Sequence, residues 1–335
     1  MTLRILVTGG CGFIGSNFVR YVLKNHPDYR VTNIDALTYA GNRANLADLE
    51  QDERYRFVHG RIENRGHVED AIDGCNAVVN FAAESHVDRS IRDATPFIAT
   101  NVVGTQVLLD VSVANRVDRF VQLSTDEVYG TLGEEGLFSE ATPLDPRSPY
   151  AASKAAADML SRACHETHHL PVCVARPSNN YGPYQYPEKL IPLMLTNLFE
   201  GSNVPVYGKG LNVRDWLFVE DNCRGIDTIL HKGKPGEAYN IGGNCEKRNI
   251  EVVRTVLRLM DLDEDRIEFV PDRPGHDFRY ALDNSKIESE LGWKPTTRFE
   301  DGIRTTLDWY RLQTGWWQEL RQRLDRERRG FWTKK

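Results

Sequence analysis

Short, almost wholly apolar runs alternate with longer stretches of helical spacing through the first 180 residues. The apolar runs are Ile5-Leu6-Val7, Val31-Thr32-Asn33-Ile34, Phe57-Val58, Ala77-Val78-Val79-Asn80-Phe81, Phe120-Val121-Gln122-Leu123 and Val172-Cys173-Val174-Ala175. Between them, Asn17 to Lys24 puts Phe18, Tyr21 and Val22 on one helical face. Ile98 to Ala114 does the same with Val102, Val103, Leu108, Leu109 and Val113, and a third helix is expected over Tyr150 to His168. A strand buried on both faces reads as a continuous apolar run rather than as alternation. Strands that alternate with helices build a parallel sheet with helices on both sides. The pattern therefore predicts an α/β fold with a doubly wound parallel sheet.

After Arg176 the pattern loosens, and Pro177, Gly182, Pro183, Pro187, Pro192, Pro205, Gly208 and Gly210 interrupt it. Strand-like pieces at Val204–Tyr207, Ala238–Ile241 and Ile267–Val270 alternate with helices expected over 189–200, 220–230, 285–291 and 299–313. Asn249 reads as a helix N-cap before Val252, Val253, Val256, Leu257 and Met260. This predicts a first domain over 1–180 and a smaller α/β lobe over 181–335 that closes on the sheet. The basic tail from Arg321 to Lys335 reads as a solvated helix end.

At 335 residues the chain is long enough for two such bodies. Its 42 basic and 48 acidic side chains give a net charge of −6, which argues against nucleic acid as a partner. No apolar run looks long enough for a membrane span. The first strand-like run opens at Leu3, with no secretory leader before it. The six cysteines are scattered without any C-x-x-C pair. They read as reduced thiols of a cytoplasmic protein, and no metal site is expected.

Three motifs carry chemistry. Thr8-Gly9-Gly10-Cys11-Gly12-Phe13-Ile14-Gly15 follows the first strand and opens a helix. Free N–H groups and the dipole at such a helix start hold a pyrophosphate. Asp35 ends the next strand, where a carboxylate bonds ribose hydroxyls and repels a 2′-phosphate, so NAD is expected over NADP. Tyr150 and Lys154 share a helix face at i, i+4, where the ammonium is expected to lower the phenol's pKa. Ser124-Thr125-Asp126-Glu127 follows the fifth strand. It reads either as a general acid and base held side by side or as a helix cap with acids in the first turn. Phe81 to Ser90 is a polar stretch at the same sheet edge, with His86 expected to hydrogen-bond. Arg214-Asp215-Trp216 and Asp272 to Tyr280 read as loops whose arginines suit phosphate.

Together these motifs resemble the extended short-chain dehydrogenase/reductase superfamily that acts on nucleotide sugars, with a Rossmann-like sheet. The narrower likeness is to the dTDP-glucose 4,6-dehydratases. It is carried by Thr125-Asp126-Glu127, by Ala82 to Ser90, by Ser178 to Pro192 and by the Asp272–Tyr280 loop, within a span of about 3 to 317. The resemblance implies an NAD-dependent internal redox cycle on dTDP-glucose. Tyr150 takes the 4-hydroxyl proton, Thr125 bonds the 4-oxygen, and Lys154 tunes Tyr150 and holds the nicotinamide ribose. Glu127 removes the C5 proton and Asp126 protonates the leaving 6-hydroxyl. Implied cofactor contacts are Gly9, Gly12, Phe13, Ile14, Gly15, Asp35, Ala36, Leu37, Thr38, Arg61, Ile62, Phe81, Ala82, Ala83, Ser85, Thr100, Tyr150, Lys154 and Asn180. Implied substrate contacts are Ser85, Thr125, Asn179, Lys189, Leu190, Pro205, Tyr207, Arg214, Asn249, Arg273, His276 and Tyr280, with Arg214 on the diphosphate. The helices near 98–114 and 150–168 resemble those of the family's homodimer bundle.

One departure stands out. The family usually has Asp-Ile after the third strand, with the Asp accepting from the adenine amine. Here the pair is Arg61-Ile62, and Arg has no acceptor, so weaker NAD retention is expected. Two other readings compete. A 4-epimerase or sugar-acid decarboxylase on the same scaffold has no use for the Asp126–Glu127 pair. A non-catalytic NAD-binding regulator has no use for Tyr150, Lys154 and both acids together.

Overall fold

β1 (Arg4–Thr8) runs through the middle of a large parallel sheet and leads into α1 (Phe13–Asn25). The chain continues through β2 (Arg30–Asp35), β3 (Tyr55–His59), α2 (Arg65–Ile72), β4 (Ala77–Asn80) and α3 (Val87–Arg92). Then come α4 (Thr95–Phe97), a π-helical turn over Ile98–Gly104, α5 (Thr105–Ala114), β5 (Arg119–Leu123), α6 (Pro149–His168) and β6 (Val172–Pro177). The second half holds β7 (Asn179–Tyr181), α7 (Leu190–Phe199), β8 (Val204–Tyr207), β9 (Val213–Phe218), α8 (Val219–Lys232) and β10 (Ala238–Ile241). It ends with β11 (Glu246–Arg248), α9 (Asn249–Leu259), β12 (Ile267–Val270), α10 (Ser285–Leu291), α11 (Phe299–Leu312) and α12 (Thr314–Trp332). This computed structural model describes residues 2–272 and 277–332.

The large sheet has seven strands in the order β10-β6-β5-β4-β1-β2-β3, all parallel. Side chains alternate across it, as strand geometry requires. Leu6, Val78, Phe120 and Val172 face α2, α5 and α6 with Leu108, Leu109 and Val111. Ile5, Val7, Val79, Val121 and Cys173 face the other layer, where Phe18, Val19 and Val22 of α1 meet Cys223, Ile226 and Ile229 of α8. Each large side chain buried this fully contributes about 1.5–3 kcal/mol, so both layers are held by the runs that marked the strands. The expected doubly wound sheet is therefore present.

The boundary near residue 180 marks where the chain first leaves this sheet, not where it leaves for good. β10 returns to pair with β6, and α8 and α10 pack on the same layer as α1. The second body centres on the three-stranded sheet β11-β9-β7 and the pair β12-β8, with α7, α9 and α11 around one apolar core.

Several expectations need correction. Arg214-Asp215-Trp216 is not loop but the middle of β9, paired with β11 and β7. Asn249 is the first residue inside α9. Arg248 takes the cap position, and its backbone N–H donates to Glu251 Oε2 at 2.7 Å. The helix expected over 98–114 opens with the π-turn. Thr95–Ala114 is also 20 residues long with a hydropathy of 1.5, enough by length and composition to cross a membrane, contrary to the sequence reading. Its inner face packs on the sheet and on α6. The six cysteines are all free, as expected.

Candidate active site

The carboxyl ends of β1, β2, β4, β5 and β6 open into one long cleft, the usual binding place of a doubly wound sheet. At β1 the turn depends on glycine. Gly9 has φ +67°, and a Cβ there would lie 2.8 Å from the Ala82 backbone. A Cβ on Gly15 would lie 2.4 Å from the Gly9 carbonyl oxygen. No side chain caps the start of α1, so its first turn of N–H groups faces the cleft where Gly12, Phe13, Ile14 and Gly15 line it. This is a cradle shaped for a pyrophosphate.

Asp35 stands at the end of β2 and ties the cradle to the next loop. Its Oδ2 accepts from Cys11 N at 2.8 Å and its Oδ1 from Leu37 N at 2.8 Å. Burial raises its pKa, and these two backbone donors work against that shift. Ala36, Thr38, Arg61, Ile62, Phe81, Ala82, Ala83, Ser85, Thr100 and Asn180 join it in the cleft wall. Leu37 instead packs against the core beneath.

Of the two readings the sequence left open for Thr125, Asp126 and Glu127, the helix cap is present. Thr125 caps a short 3-10 turn, accepting from Glu127 N at 3.3 Å, and its hydroxyl donates to Asp126 Oδ1 at 3.2 Å. The same turn aims all three side chains into the cleft. Asp126 is buried, and its Oδ2 has no partner. Burial, then the charges of Glu127 and Asp215, raise its pKa well above the ordinary carboxylate range. Glu127 is only half-buried.

Tyr150 and Lys154 sit in the first two turns of α6, started by Ser148, whose Oγ accepts from Ala151 N at 3.1 Å, and by Pro149. The expected lowering of Tyr150 by Lys154 does not prevail. Burial and the Glu127 charge push the phenol upward, while a hydrogen bond with Thr125 pulls it down. Lys154 donates to the Leu123 carbonyl at 2.5 Å, and burial lowers its pKa to about 8. The π-turn serves this helix. Asn101, inside the turn, accepts from Glu84 N at 2.9 Å and donates to Ser153 Oγ at 2.8 Å, clamping the 82–85 wall to α6. π-turns inside helices are frequent at functional sites.

Unpartnered buried polar atoms concentrate on the cleft wall: Ser124 Oγ, Asp126 Oδ2, Asn179 Oδ1, Asn180 Oδ1 and Gln185 Oε1. Buried acceptors without partners are costly, so this wall is built for a polar ligand. With the glycine cradle and Asp35, the residues present fit a dinucleotide.

Of the expected substrate contacts, Ser85, Thr125, Asn179 and Lys189 line the cleft. Leu190 starts α7, Pro205 and Tyr207 lie on β8, and Asn249 starts α9, all outside the cleft wall. Arg214 donates to the carbonyls of Val213, Asp277 and Phe278, and its guanidinium covers the Tyr280 ring at 4.4 Å. Its charge nonetheless lowers Asp126, and the Glu127 charge raises Tyr280, so both lie beside the acidic pair. Arg273 and His276 fall outside the described residues. Sequence reading missed Tyr39 and Glu63, and gave Ser178, Gln185, Tyr186 and Glu188 of the Ser178–Pro192 motif no site role, although all six line the cleft. Tyr39 and Glu63 sit just beyond β2 and β3, a strand-end position that could have singled them out. Among the described residues, His26, Asp227 and His231 lie within 4.8 Å of one another where α1 meets α8, a cluster of ligand-type groups the sequence spacing did not reveal.

Residues 6–306 match the protein-family model described as GDP-mannose 4,6 dehydratase. The chain belongs to this family. Within it, the chain is 51% identical over 323 residues to a dTDP-glucose 4,6-dehydratase of Streptomyces niveus, covering 95% of this chain and 96% of that protein. It is 53% identical over 308 residues to a low-salt glycan biosynthesis protein of Haloferax volcanii, covering 92% and 98%. The crystal structure of DesIV, a dTDP-glucose 4,6-dehydratase of Streptomyces venezuelae with NAD bound, superposes with a TM-score of 0.93 at 52% identity, covering 95% of this chain and all of that one. In this member of the family, Arg61 lies at the mouth of the cleft with its side chain 59% exposed, 3.8 Å from Glu63. Glu63 in turn accepts from the Thr100 hydroxyl at 2.7 Å.

Proposed function

We propose that the protein is an NAD-dependent dTDP-glucose 4,6-dehydratase, a hydro-lyase that yields dTDP-4-keto-6-deoxyglucose. The observation that carries this reading is the acidic pair: one turn holds Asp126, whose pKa is raised well above the ordinary carboxylate range, beside a half-buried Glu127, next to Tyr150. An epimerase needs only the tyrosine and the cofactor, whereas elimination next to a carbonyl needs one acid and one base.

Bound NAD supplies the hydride acceptor for C4 and the hydride donor for C6 within one turnover. Tyr150 takes the 4-hydroxyl proton as the phenolate, a state that the positive nicotinamide ring of bound NAD and the Lys154 ammonium would favour, with Thr125 hydrogen-bonded to the same oxygen. Lys154, still protonated at neutral pH, places a positive charge one helical turn from the phenol. The new 4-keto group acidifies the C5 proton, which Glu127 removes. Asp126 gives its proton to the 6-hydroxyl, which leaves as water. Glu127 returns a proton to C5 as hydride arrives at C6, and Tyr150 and Asp126 are reset from solvent. The cleft wall from Ser85 to Lys189 and the Arg214–Tyr280 stack hold the nucleotide sugar in place.

A homodimer fits the outer face of the 98–114 segment and α6, where Ile98, Val103 and Met159 are exposed together with Ile91. A second copy covering these side chains extends the apolar layer already packed beneath them. Free cysteines suit the cytoplasm.

The test is incubation with dTDP-glucose, with and without added NAD, followed by mass spectrometry. A product lighter by one water supports the reading. An unchanged mass with NAD present sinks it and turns attention to epimerisation, read by NMR. Parallel samples of UDP-glucose and GDP-mannose establish which base is used.

A further inference from the structure

α12 straddles the two bodies. Trp317 and Arg321 fasten it to the second one. The Trp317 indole donates to Tyr310 O at 2.9 Å and stacks on Phe199 of α7. Arg321 donates to Thr196 Oγ1 and Asn197 Oδ1 at 3.0 and 2.8 Å and pairs with Glu200 at 3.3 Å.

The other side of α12 meets the loop that follows Asp35, whose residues line the cofactor end of the cleft. Arg323 Nη2 donates to Thr38 O at 3.1 Å. Leu320 and Leu324 pack on Tyr186, Tyr39 and Ala40, three more lining residues. The Trp316 indole donates to Asn45 Oδ1 at 2.8 Å. Asn45 Nδ2 donates to Cys11 O at 2.9 Å, and Cys11 N donates to Asp35. A continuous hydrogen-bonded chain thus runs from α12 through the loop into the glycine cradle. α12 also lies beyond the span that the family model matches.

We propose that α12 is a strap that holds the 36–45 loop closed over the cofactor, and that Trp316 and Arg323 are positioning residues that set how fast NAD leaves. This rests on reading the cleft as an NAD site. A ligand covered by a loop leaves only when the loop opens. Opening here breaks the Arg323–Thr38 and Trp316–Asn45 bonds and exposes Leu320, Leu324 and Tyr186. The chemistry at Asp126, Glu127 and Tyr150 lies outside the strap's contacts. The strap therefore acts on cofactor exchange and leaves turnover at saturating NAD unchanged.

The experiment loads wild-type and variant protein with isotopically labelled NAD, adds excess unlabelled NAD, and follows retained label by mass spectrometry. The W316F/R323A double variant is expected to exchange about tenfold faster, the effect of one or two net hydrogen bonds. Its kcat at saturating NAD should match wild type. R323K, which keeps a donor for Thr38 O, should recover most of the retention. Variants that melt earlier but exchange NAD at the wild-type rate reduce α12 to a structural prop and overturn the proposal. An equal exchange rate with equal stability overturns it too. A wild-type protein that turns over dTDP-glucose only with added NAD and retains no label overturns the strap alone, whereas one that shows no turnover even with added NAD overturns the cofactor reading, which separates the two failures.

Discussion

Lys154 Nζ donates to the main-chain carbonyl of Leu123, tying α6 to the last residue of β5, just before the turn of Thr125, Asp126 and Glu127. One buried cation thereby fixes the spacing between Tyr150 and Thr125-Asp126-Glu127. Its burial also lowers its pKa from 10.5 to about 8.

Activity should fall as pH rises through about 8, as Lys154 loses its proton and the positive charge beside Tyr150. Stability should move the other way for this group. A lysine whose folded pKa is depressed binds fewer protons folded than unfolded between about 8 and 10.5, so its contribution improves with pH in that window. K154M should abolish the alkaline fall along with most activity. A pH–rate profile with no alkaline limb in the wild type counts against the assignment.

D126N and E127Q should each slow elimination by roughly 10²–10⁴-fold, the usual worth of a positioned acid or base. Oxidation at C4 should survive, so reduced cofactor should build up and be visible by absorbance. Full dehydration by the double variant would remove both residues from the mechanism.

R61D should hold NAD more tightly than the wild type. The exposed guanidinium at the cleft mouth offers donors only, and a carboxylate there restores an acceptor for the adenine amine. Equal retention by the two proteins, measured after gel filtration, would refute this.

Arg176 and Asp158 form a fully buried bidentate pair at 2.7 and 3.1 Å, with Arg176 also donating to Tyr129 OH at 2.8 Å. Asp158→Ala leaves an uncompensated buried cation behind β6 and should cost about 3–5 kcal/mol. Denaturant unfolding checks it. A loss below about 1 kcal/mol, the worth of a surface pair, would mean the site is hydrated.

His231 should make stability weakly pH-dependent. Its pKa is raised by a hydrogen bond with Asp227, beside the stacked His26 and Tyr29 rings. With the folded pKa above the unfolded 6.5, this stabilisation is complete below 6.5 and fades as pH climbs through the raised value. D227N should flatten the slope of melting temperature between pH 6 and 8; an unchanged slope assigns it to other groups.

Much of the sheet and its main motifs was legible because their signals are local. A strand buried on both faces must be largely apolar, which exposed β1, β2, β4, β5, β6 and β10, while the edge strand β3, only partly buried, was marked by Phe57 and Val58 alone. The glycine cradle was legible from its spacing, because a close backbone approach excludes any Cβ. Tyr150 and Lys154 were legible because i and i+4 share a helix face. β9 was misread because Arg214 and Asp215 are polar, although β11 and β7 pair on either side of it. The tail from Arg321 was read as a solvated helix end because the partner of Arg323, Thr38, lies 285 residues away, and the start of α12, whose Trp316 bonds Asn45 271 residues back, was not read at all.

The amino-acid order alone thus determined the fold class and the cofactor cradle, both written in short-range periodicity and spacing, while the roles expected of Thr125, Asp126 and Glu127 came from the family resemblance. Only the tertiary structure decided that Asp126 is the member of the pair whose pKa is raised well above the ordinary carboxylate range. That shift comes first from burial, then from the neighbouring Glu127 charge and from the charge of Asp215, brought in from another sheet. Likewise only the fold could lay α12 on the cofactor loop. Desolvation and long-range contact are properties of the packed chain, and no window of sequence contains them.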